Sequence, residues 1–133
     1  MTRSVLADTG PLYAAVDPDD IHHRRAHDDL KRLAREKRAV IVPYPTLLEA
    51  HSLVMRRLGR ATASVWLDEI LKSSAPANPS AEDYSDGVMR LAALPDQAIT
   101  LCDATLAALG ARLKIEIWTY DHHFDVMRAK VWR

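Results

Sequence analysis

Acidic residues fall at four points of this chain where the surrounding pattern makes them conspicuous. Asp8 follows the apolar run Ser4-Val5-Leu6-Ala7, and Asp121 lies just past Ile115-Glu116-Ile117-Trp118-Thr119-Tyr120. Short apolar runs of this kind read as buried strands, and a carboxylate at the end of one is oddly placed for a surface group. Glu49 and Asp103 stand instead near the starts of two helical stretches, in Thr46-Leu47-Leu48-Glu49 and Thr100-Leu101-Cys102-Asp103. If the two strands are neighbours and both helices start on the same side, four carboxylates converge. Such groups repel one another, and in a partly desolvated cleft their pKa values rise unless a cation is present. An all-oxygen set without histidine or cysteine suits a hard ion, Mg2+ with Mn2+ as a substitute. That ion activates a water and neutralises charge on a phosphoryl group, which is the chemistry of phosphodiester hydrolysis.

Each acid also has a purely structural account. Thr46-x-x-Glu49 and Thr100-x-x-Asp103 both match a capping box, in which the acid reaches back to the helix start. Asp121 is placed to N-cap the helix that follows it. Taken singly these accounts compete with catalysis, but they leave unexplained why every such acid falls at one edge. Thr9 and Thr119 sit beside the strand-end aspartates, where a hydroxyl can orient a carboxylate or close a local turn. Asp125, one turn into the last short helix, reads as an additional outer acid or as a charge favoured by the helix dipole. The pairs His22-His23 and His122-His123 raise a zinc site, but adjacent histidines point apart on a helix and read as surface residues. His51 reads as core or as a neighbour of the acids. Cys102, the only cysteine, excludes an intrachain disulfide and a thiolate metal cage; beside Ile99 and Leu101 it reads as a buried small hydrophobe.

The elements that must position these groups follow from hydrophobic periodicity. A first strand spans Arg3 to Ala7, broken by Asp8-Thr9-Gly10-Pro11, with a helical turn over Leu12 to Val16. Ala26, Leu30, Leu33 and Ala34 give one apolar stripe to a helix from about Ile21 to Lys37. Strand two is Ala39 to Val42, closed by Pro43-Tyr44-Pro45. A helix from Thr46 to Leu58, ended by Gly59, and another from Ala61 to Lys72 form a hairpin. Ser73 to Ser80 is loop with a brief edge strand. Helices over Ala81 to Leu94 and Asp103 to Leu113 follow, the second open to an early end at Gly110. Strand Ile115 to Thr119, a short helix near His123 to Arg128 and a last strand at Lys130 to Trp132 complete the chain. Alternating strands and helices imply an α/β domain with a mostly parallel sheet, whose ligands sit at the carboxyl ends of the strands. Asp8 and Asp121 both lie at that edge.

At 133 residues the chain is one domain, residues 1–133. Its 48% hydrophobic and 27% charged residues make disorder an unsuitable reading. Net charge is zero, so bulk electrostatics neither demand nor exclude a nucleic-acid partner. Basic residues gather from Arg24 to Arg38 and at Arg56, Arg57 and Arg60, in what any single cluster would show as a solvated helix face. No apolar run reaches membrane-spanning length and no leader pattern opens the chain, so a cytoplasmic protein without membrane contact is expected.

The ordered series Val5-Leu6-Ala7-Asp8-Thr9, Thr46-Leu47-Leu48-Glu49, Leu101-Cys102-Asp103-Ala104 and Trp118-Thr119-Tyr120-Asp121-His122-His123-Phe124 resembles the PIN-domain nucleases. It is most similar to the small VapC-type toxins of bacterial toxin-antitoxin modules, over nearly the whole chain. The resemblance implies a three-layer α/β/α fold with strand order 3-2-1-4-5. It implies a Mg2+-dependent endoribonuclease in which Asp8, Glu49, Asp103 and Asp121 form the acidic pocket. Asp8 and Asp103 would be metal ligands, Asp121 a ligand directly or through water, and Glu49 a ligand or the base that orients water. Thr119 matches the hydroxyl that precedes the family's last aspartate. The helix pair from Thr46 to Lys72 would help form a homodimer and receive a helix of a cognate VapB-like antitoxin. Arg56 or Arg57 would hold phosphates of the RNA substrate.

Three other readings stand beside this one. A PIN nuclease of RNA processing or repair would act without an antitoxin, and a binding module would keep the fold without activity. A phosphoacceptor receiver domain also gathers acids at strand ends. That chemistry wants an adjacent acidic pair after strand one and a lysine ending a late strand, whereas this chain has a lone Asp8 and Thr119-Tyr120-Asp121.

Overall fold

The computed structural model describes residues 3–73 and 76–133. At its centre β1 (Ser4–Ala7) pairs in parallel with β2 (Ala39–Ile41) on one side and β3 (Glu116–Trp118) on the other. The register sets Leu6 opposite Ile41 and Ile117, so all three strands end at the same edge. A fully buried central strand must be apolar on both faces, and Val5, Leu6 and Ala7 satisfy this with no exposure at all.

Seven helices cover the sheet among the described residues. On one face lie α1 (Thr9–Val16), α2 (His23–Arg35), α3 (Tyr44–Leu58) and α4 (Arg60–Ser73), packed on Val5, Ala7 and Trp118. On the other, α6 (Leu101–Leu113) and α7 (His123–Val126) pack on Leu6 and Ile117 through Leu106, Leu109 and Phe124. Helix α5 (Ala81–Ala93) lies against α6. This is the expected three-layer α/β/α arrangement.

The outer strands shrink to single bridges, Pro43 with Ala77 and Ile117 with Val131, both parallel. Counted in chain order these positions give 3-2-1-4-5, as the resemblance implies. Pro76 and Pro79 flank Ala77 and lack the N–H groups that a longer ladder needs. The strand expected at Lys130 to Trp132 is held only by the two bonds that bracket Ile117, from its own N–H to Lys130 and from the Trp132 N–H to its carbonyl. Within the loop expected over Ser73 to Ser80, positions 74 and 75 lie outside the described residues.

Helix boundaries moved where proline was read as a breaker. Helix α1 begins at Thr9 and carries Gly10 and Pro11 in its first turn, where a missing N–H removes no helical bond. Helix α3 begins at Tyr44, two residues early, with Pro45 likewise in its first turn. Helix α2 starts later than the expected Ile21, because Asp17 and Asp20 fix the preceding turns by accepting the N–H groups of Asp19 and His22 at 2.9 and 2.8 Å. Gly110 does not end α6: a side chain there would meet the Ile115 carbonyl and the Ile117 side chain at 3.1 and 3.2 Å, so the glycine lets the helix lie close on β3.

The α5–α6 pair is closed by a two-bond salt bridge from Arg112 Nε and Nη2 to the buried carboxylate of Asp83, 2.8 Å each. Arg112 holds that carboxyl down at about 2, below its ordinary 3.8. The stability it contributes is therefore complete above pH 3.8 and is lost as pH falls toward 2. Asp83→Asn is expected to cost about 2 kcal/mol, less than a fully buried pair because Arg112 faces solvent. Urea denaturation at neutral pH measures the loss.

Candidate active site

The C-terminal edge of the sheet opens into a cleft of about 530 Å³ lined by Asp8, Glu49, Asp103 and Asp121. Each acid arrives on a different element: Asp8 at the end of β1, Glu49 from the second turn of α3, Asp103 from the first turn of α6, and Asp121 from the turn after β3. The four residues singled out in the sequence are brought to one place.

Asp8 is the most constrained. Its N–H extends the β1–β3 ladder by donating to the Trp118 carbonyl at 2.9 Å, and its side chain is 5% exposed. Burial pushes its carboxyl up to about 7 from 3.8, with the charges of Asp103 and Glu49 adding to the rise. The Thr119 hydroxyl opposes this by donating to Asp8 Oδ2 at 2.8 Å, while accepting the Asp121 N–H at 3.0 Å. Thr119 thus joins both strand-end aspartates in one bonded chain. Thr9 is buried next to Asp8, and its hydroxyl has no hydrogen-bond partner among the described residues.

Asp103 carries two duties. Its N–H donates to the Thr100 hydroxyl at 3.1 Å and its carboxylate accepts the Thr100 N–H at 3.4 Å, a complete capping box. Burial nevertheless pushes its pKa up, and the charges of Asp121 and Glu49 push the same way. Asp121 also serves its local turn, accepting the His123 N–H at 2.9 Å.

Glu49 differs from both. The capping box with Thr46 does not form, because α3 starts at Tyr44 and places Thr46 inside the helix with its hydroxyl buried and unpaired. Glu49 is exposed at the cleft and makes no cap bond. Cys102, half-buried beside it, is pushed up by burial first and then by Glu49, so it stays a neutral thiol rather than a nucleophile.

The remaining expected residues divide. Arg57 lines the cleft; Arg56 is exposed but lies outside its lining. Asp125 is turned away to an ion pair with Arg133. His51 is half-buried and faces the Trp66 ring across 6.5 Å. The adjacent histidines do not point apart as expected: the rings of His122 and His123 lie 4.2 Å apart, and both turn Nδ1 toward Asp121 Oδ1, at 3.8 and 2.8 Å. They sit at the turn that opens α7, where ideal helical spacing does not apply. Their ligand atoms and that of Asp121 fall within 4.8 Å of one another.

Sequence reasoning missed Tyr13, Asp20, His22 and Tyr120, which complete the cleft wall. Tyr120 was legible in principle as the residue between Thr119 and Asp121; Asp20 and His22 lie in a turn with no periodicity to place them.

Chemically, the cleft concentrates acids without neutralising them. Among the described residues no lysine, arginine or histidine nitrogen lies within 4 Å of a carboxylate oxygen of Asp8, Glu49 or Asp103. Oxygen donors, uncompensated charge and the orphan Thr9 hydroxyl fit a hard divalent ion with its water shell.

A family model, that of the PIN domain, matches residues 5–130. A search of curated proteins finds no match. Among solved structures, the chain is similar to VapC20 of Mycobacterium tuberculosis, described as a sarcin-ricin loop cleaving toxin. The identity there is 22% and the TM-score 0.82, covering 97% of this chain and 98% of that one. It is similar to VapBC2 of Rickettsia felis bound to a promoter DNA fragment, with 15% identity, TM-score 0.77 and coverage of 98% and 97%. FitAcB of Neisseria gonorrhoeae gives 20% identity, TM-score 0.70 and coverage of 97% and 96%.

Proposed function

The chain belongs to the PIN domain family, and on that premise we propose that it is a Mg2+-dependent endoribonuclease, the toxin of a type II toxin-antitoxin module. The observation that carries the reading is Asp8: a buried carboxylate at the acid cleft, pushed up to about 7, with two further acids adding to the rise and, among the described residues, no cation paired with it. Such a group gains most when a divalent ion replaces its proton. Similarity to VapC20, described as a sarcin-ricin loop cleaving toxin, supports the nuclease reading and the toxin role over a processing enzyme. Similarity to VapBC2, solved bound to promoter DNA, supports an antitoxin partner.

When bound, the ion supplies an activated water and charge neutralisation at the scissile phosphate. Asp8, Asp103 and Asp121 would hold it. Asp8 is fixed by the central strand and the Thr119 hydroxyl, Asp103 by its capping box with Thr100, and Asp121 by the turn bond from the His123 N–H. Glu49, exposed and unbonded to any cap, is placed to orient the attacking water and take up its proton at a carboxylate oxygen.

Two apolar surfaces would suit these partners. Tyr44, Leu48 and Met55 leave an exposed apolar face along α3, suited to a second copy in a homodimer. Leu12, Leu30, Trp66 and Ile70 line a separate groove between α1, α2 and α4, suited to an amphipathic antitoxin helix. No helix among the described residues is long and apolar enough to cross a membrane.

Cleavage mapping on total RNA with Mg2+ and with EDTA tests the activity. Glu49→Gln is expected to lower the Mg2+-dependent rate by roughly a hundredfold, the scale of a lost general base. Cleavage that persists in EDTA, or that Glu49→Gln leaves undiminished, would overturn the assignment. Cleavage without growth arrest on expression would favour the processing enzyme, and metal binding without cleavage the binding module.

A further inference from the structure

An acidic cleft repels the polyanion it is meant to cut, so an RNA strand must be drawn in by cations beside the acids. With a net charge of zero the chain offers no general attraction. Two tyrosines on the cleft wall show how the deficit is met.

Tyr120 stands between Thr119 and Asp121. Its hydroxyl donates to Asp29 Oδ2 at 2.6 Å, and the same oxygen accepts the Trp118 indole N–H at 3.0 Å. One turn earlier on α2, Arg25 lies over the ring, its guanidinium carbon 4.1 Å from the centroid. Tyr13, on α1, repeats the pattern: its hydroxyl donates to Asp17 Oδ2 at 2.5 Å, and Arg57 of α3 lies over its ring at 5.2 Å. In each unit the aspartate is spent on the tyrosine hydroxyl. Among the described residues neither guanidinium has a carboxylate oxygen within 4 Å, and both arginines are exposed. A guanidinium resting on an aromatic face is held in position while its N–H groups stay free for an anion. Solvated surface arginines would have no such support, and Arg32, Arg38 and Arg112 are spent on carboxylates.

We propose that Arg25 and Arg57 form a two-point clamp for the phosphates of a single-stranded RNA at the acid cleft, each presented on a tyrosine whose hydroxyl an aspartate fixes. The clamp rests on the endoribonuclease reading and names how that site takes its substrate. The units stand on different helices, α2 for Arg25 and α3 for Arg57, with the acids on the cleft wall that both tyrosines line. Recognition through phosphates and ring-held cations predicts little dependence on base identity from these two residues. Arg25 and Arg57 are positioning residues; neither is assigned a step in bond cleavage.

The test is binding of a fluorescent, mixed-sequence single-stranded oligoribonucleotide in EDTA, followed by anisotropy across a salt series, so that cleavage plays no part. Arg25→Gln and Arg57→Gln are each expected to weaken binding roughly tenfold and to reduce the salt slope by about 0.7. Arg25→Lys restores the slope but not the full affinity, because an ammonium lacks the planar fork. Tyr120→Phe, which keeps the ring and loses the bond to Asp29, stays within a few-fold of the wild type, whereas Tyr120→Leu approaches Arg25→Gln. Lys31→Gln, on the same helix as Arg25 but over no tyrosine of the cleft wall, serves as the comparison. In cleavage assays the arginine variants raise KM more than they lower kcat. Salt slopes of Arg25→Gln and Arg57→Gln equal to that of Lys31→Gln would overturn the clamp while leaving the nuclease intact. A wild-type protein that neither binds nor cuts RNA would overturn the nuclease itself.

Discussion

Asp8→Asn is expected to abolish RNA cleavage and, in the absence of divalent metal, to make the protein harder to unfold. The loss of rate follows from removing an anionic ligand at the fixed corner of the cleft and is on the order of a thousandfold or more, the scale of the several kcal/mol that a metal contributes. The gain in stability follows from burial. The Asp8 carboxyl sits at about 7 in the folded chain against 3.8 in the unfolded one. Between these values the native state binds more protons than the unfolded state, so stability falls as pH rises, and the penalty is complete above pH 7. Three pKa units correspond to about 4 kcal/mol. Asparagine recovers about half of this, because its amide must still be hydrogen-bonded in the same buried position. Urea denaturation in EDTA measures the difference: a gain of about 2 kcal/mol near pH 8 and none near pH 3.5. A variant less stable than wild type near pH 8 would contradict the placement of Asp8 as an uncompensated buried acid.

Mg2+ should do for the wild type what asparagine does for the metal-free variant. At a hundredfold excess over its dissociation constant the ion is expected to stabilise the native state by about 2.7 kcal/mol, which raises Tm by roughly 8 °C in a domain of this size. Asp103→Asn is expected to lose both this shift and the cleavage. Its side-chain oxygen can still accept the Thr100 N–H, so the start of α6 is preserved and the metal-free Tm should stay near that of the wild type. Thermal scans of the two proteins across a Mg2+ series check both statements. An undiminished shift in Asp103→Asn would remove that residue from the metal set.

Asp8 could be read from sequence because a buried strand announces itself by an unbroken apolar run, and the first polar residue beyond it marks the sheet edge; Asp121 could be read because it lies just past the alternation from Ile115 to Tyr120. Asp103 could be read from its place near the start of a helical stretch, and its capping box is real as well. Glu49's match to a capping box comes from Thr46, which proved to be the third residue of the helix rather than its cap. The structural account that competed with catalysis therefore fails at Glu49 and holds at Asp103, a difference decided by Tyr44 and Pro45 entering the helix. Local patterns could not show that Asp29 reaches across from α2 to Trp118 and Tyr120, or that Arg57 meets Tyr13, because these contacts depend on how the helices pack. The paired histidines were misjudged for a similar reason, since the turn after Asp121 sets their rings side by side. The edge strands were overestimated where only one residue on each side pairs.

The bond from Thr119 to Asp8 spans 111 positions of the chain. No partial product that stops short of β3 contains the partner that fixes Asp8. Contacts of such long range also form late in folding. Asp8 is therefore fixed only once β3 has paired with β1, and a chain that stops short of β3 carries its acids unarranged.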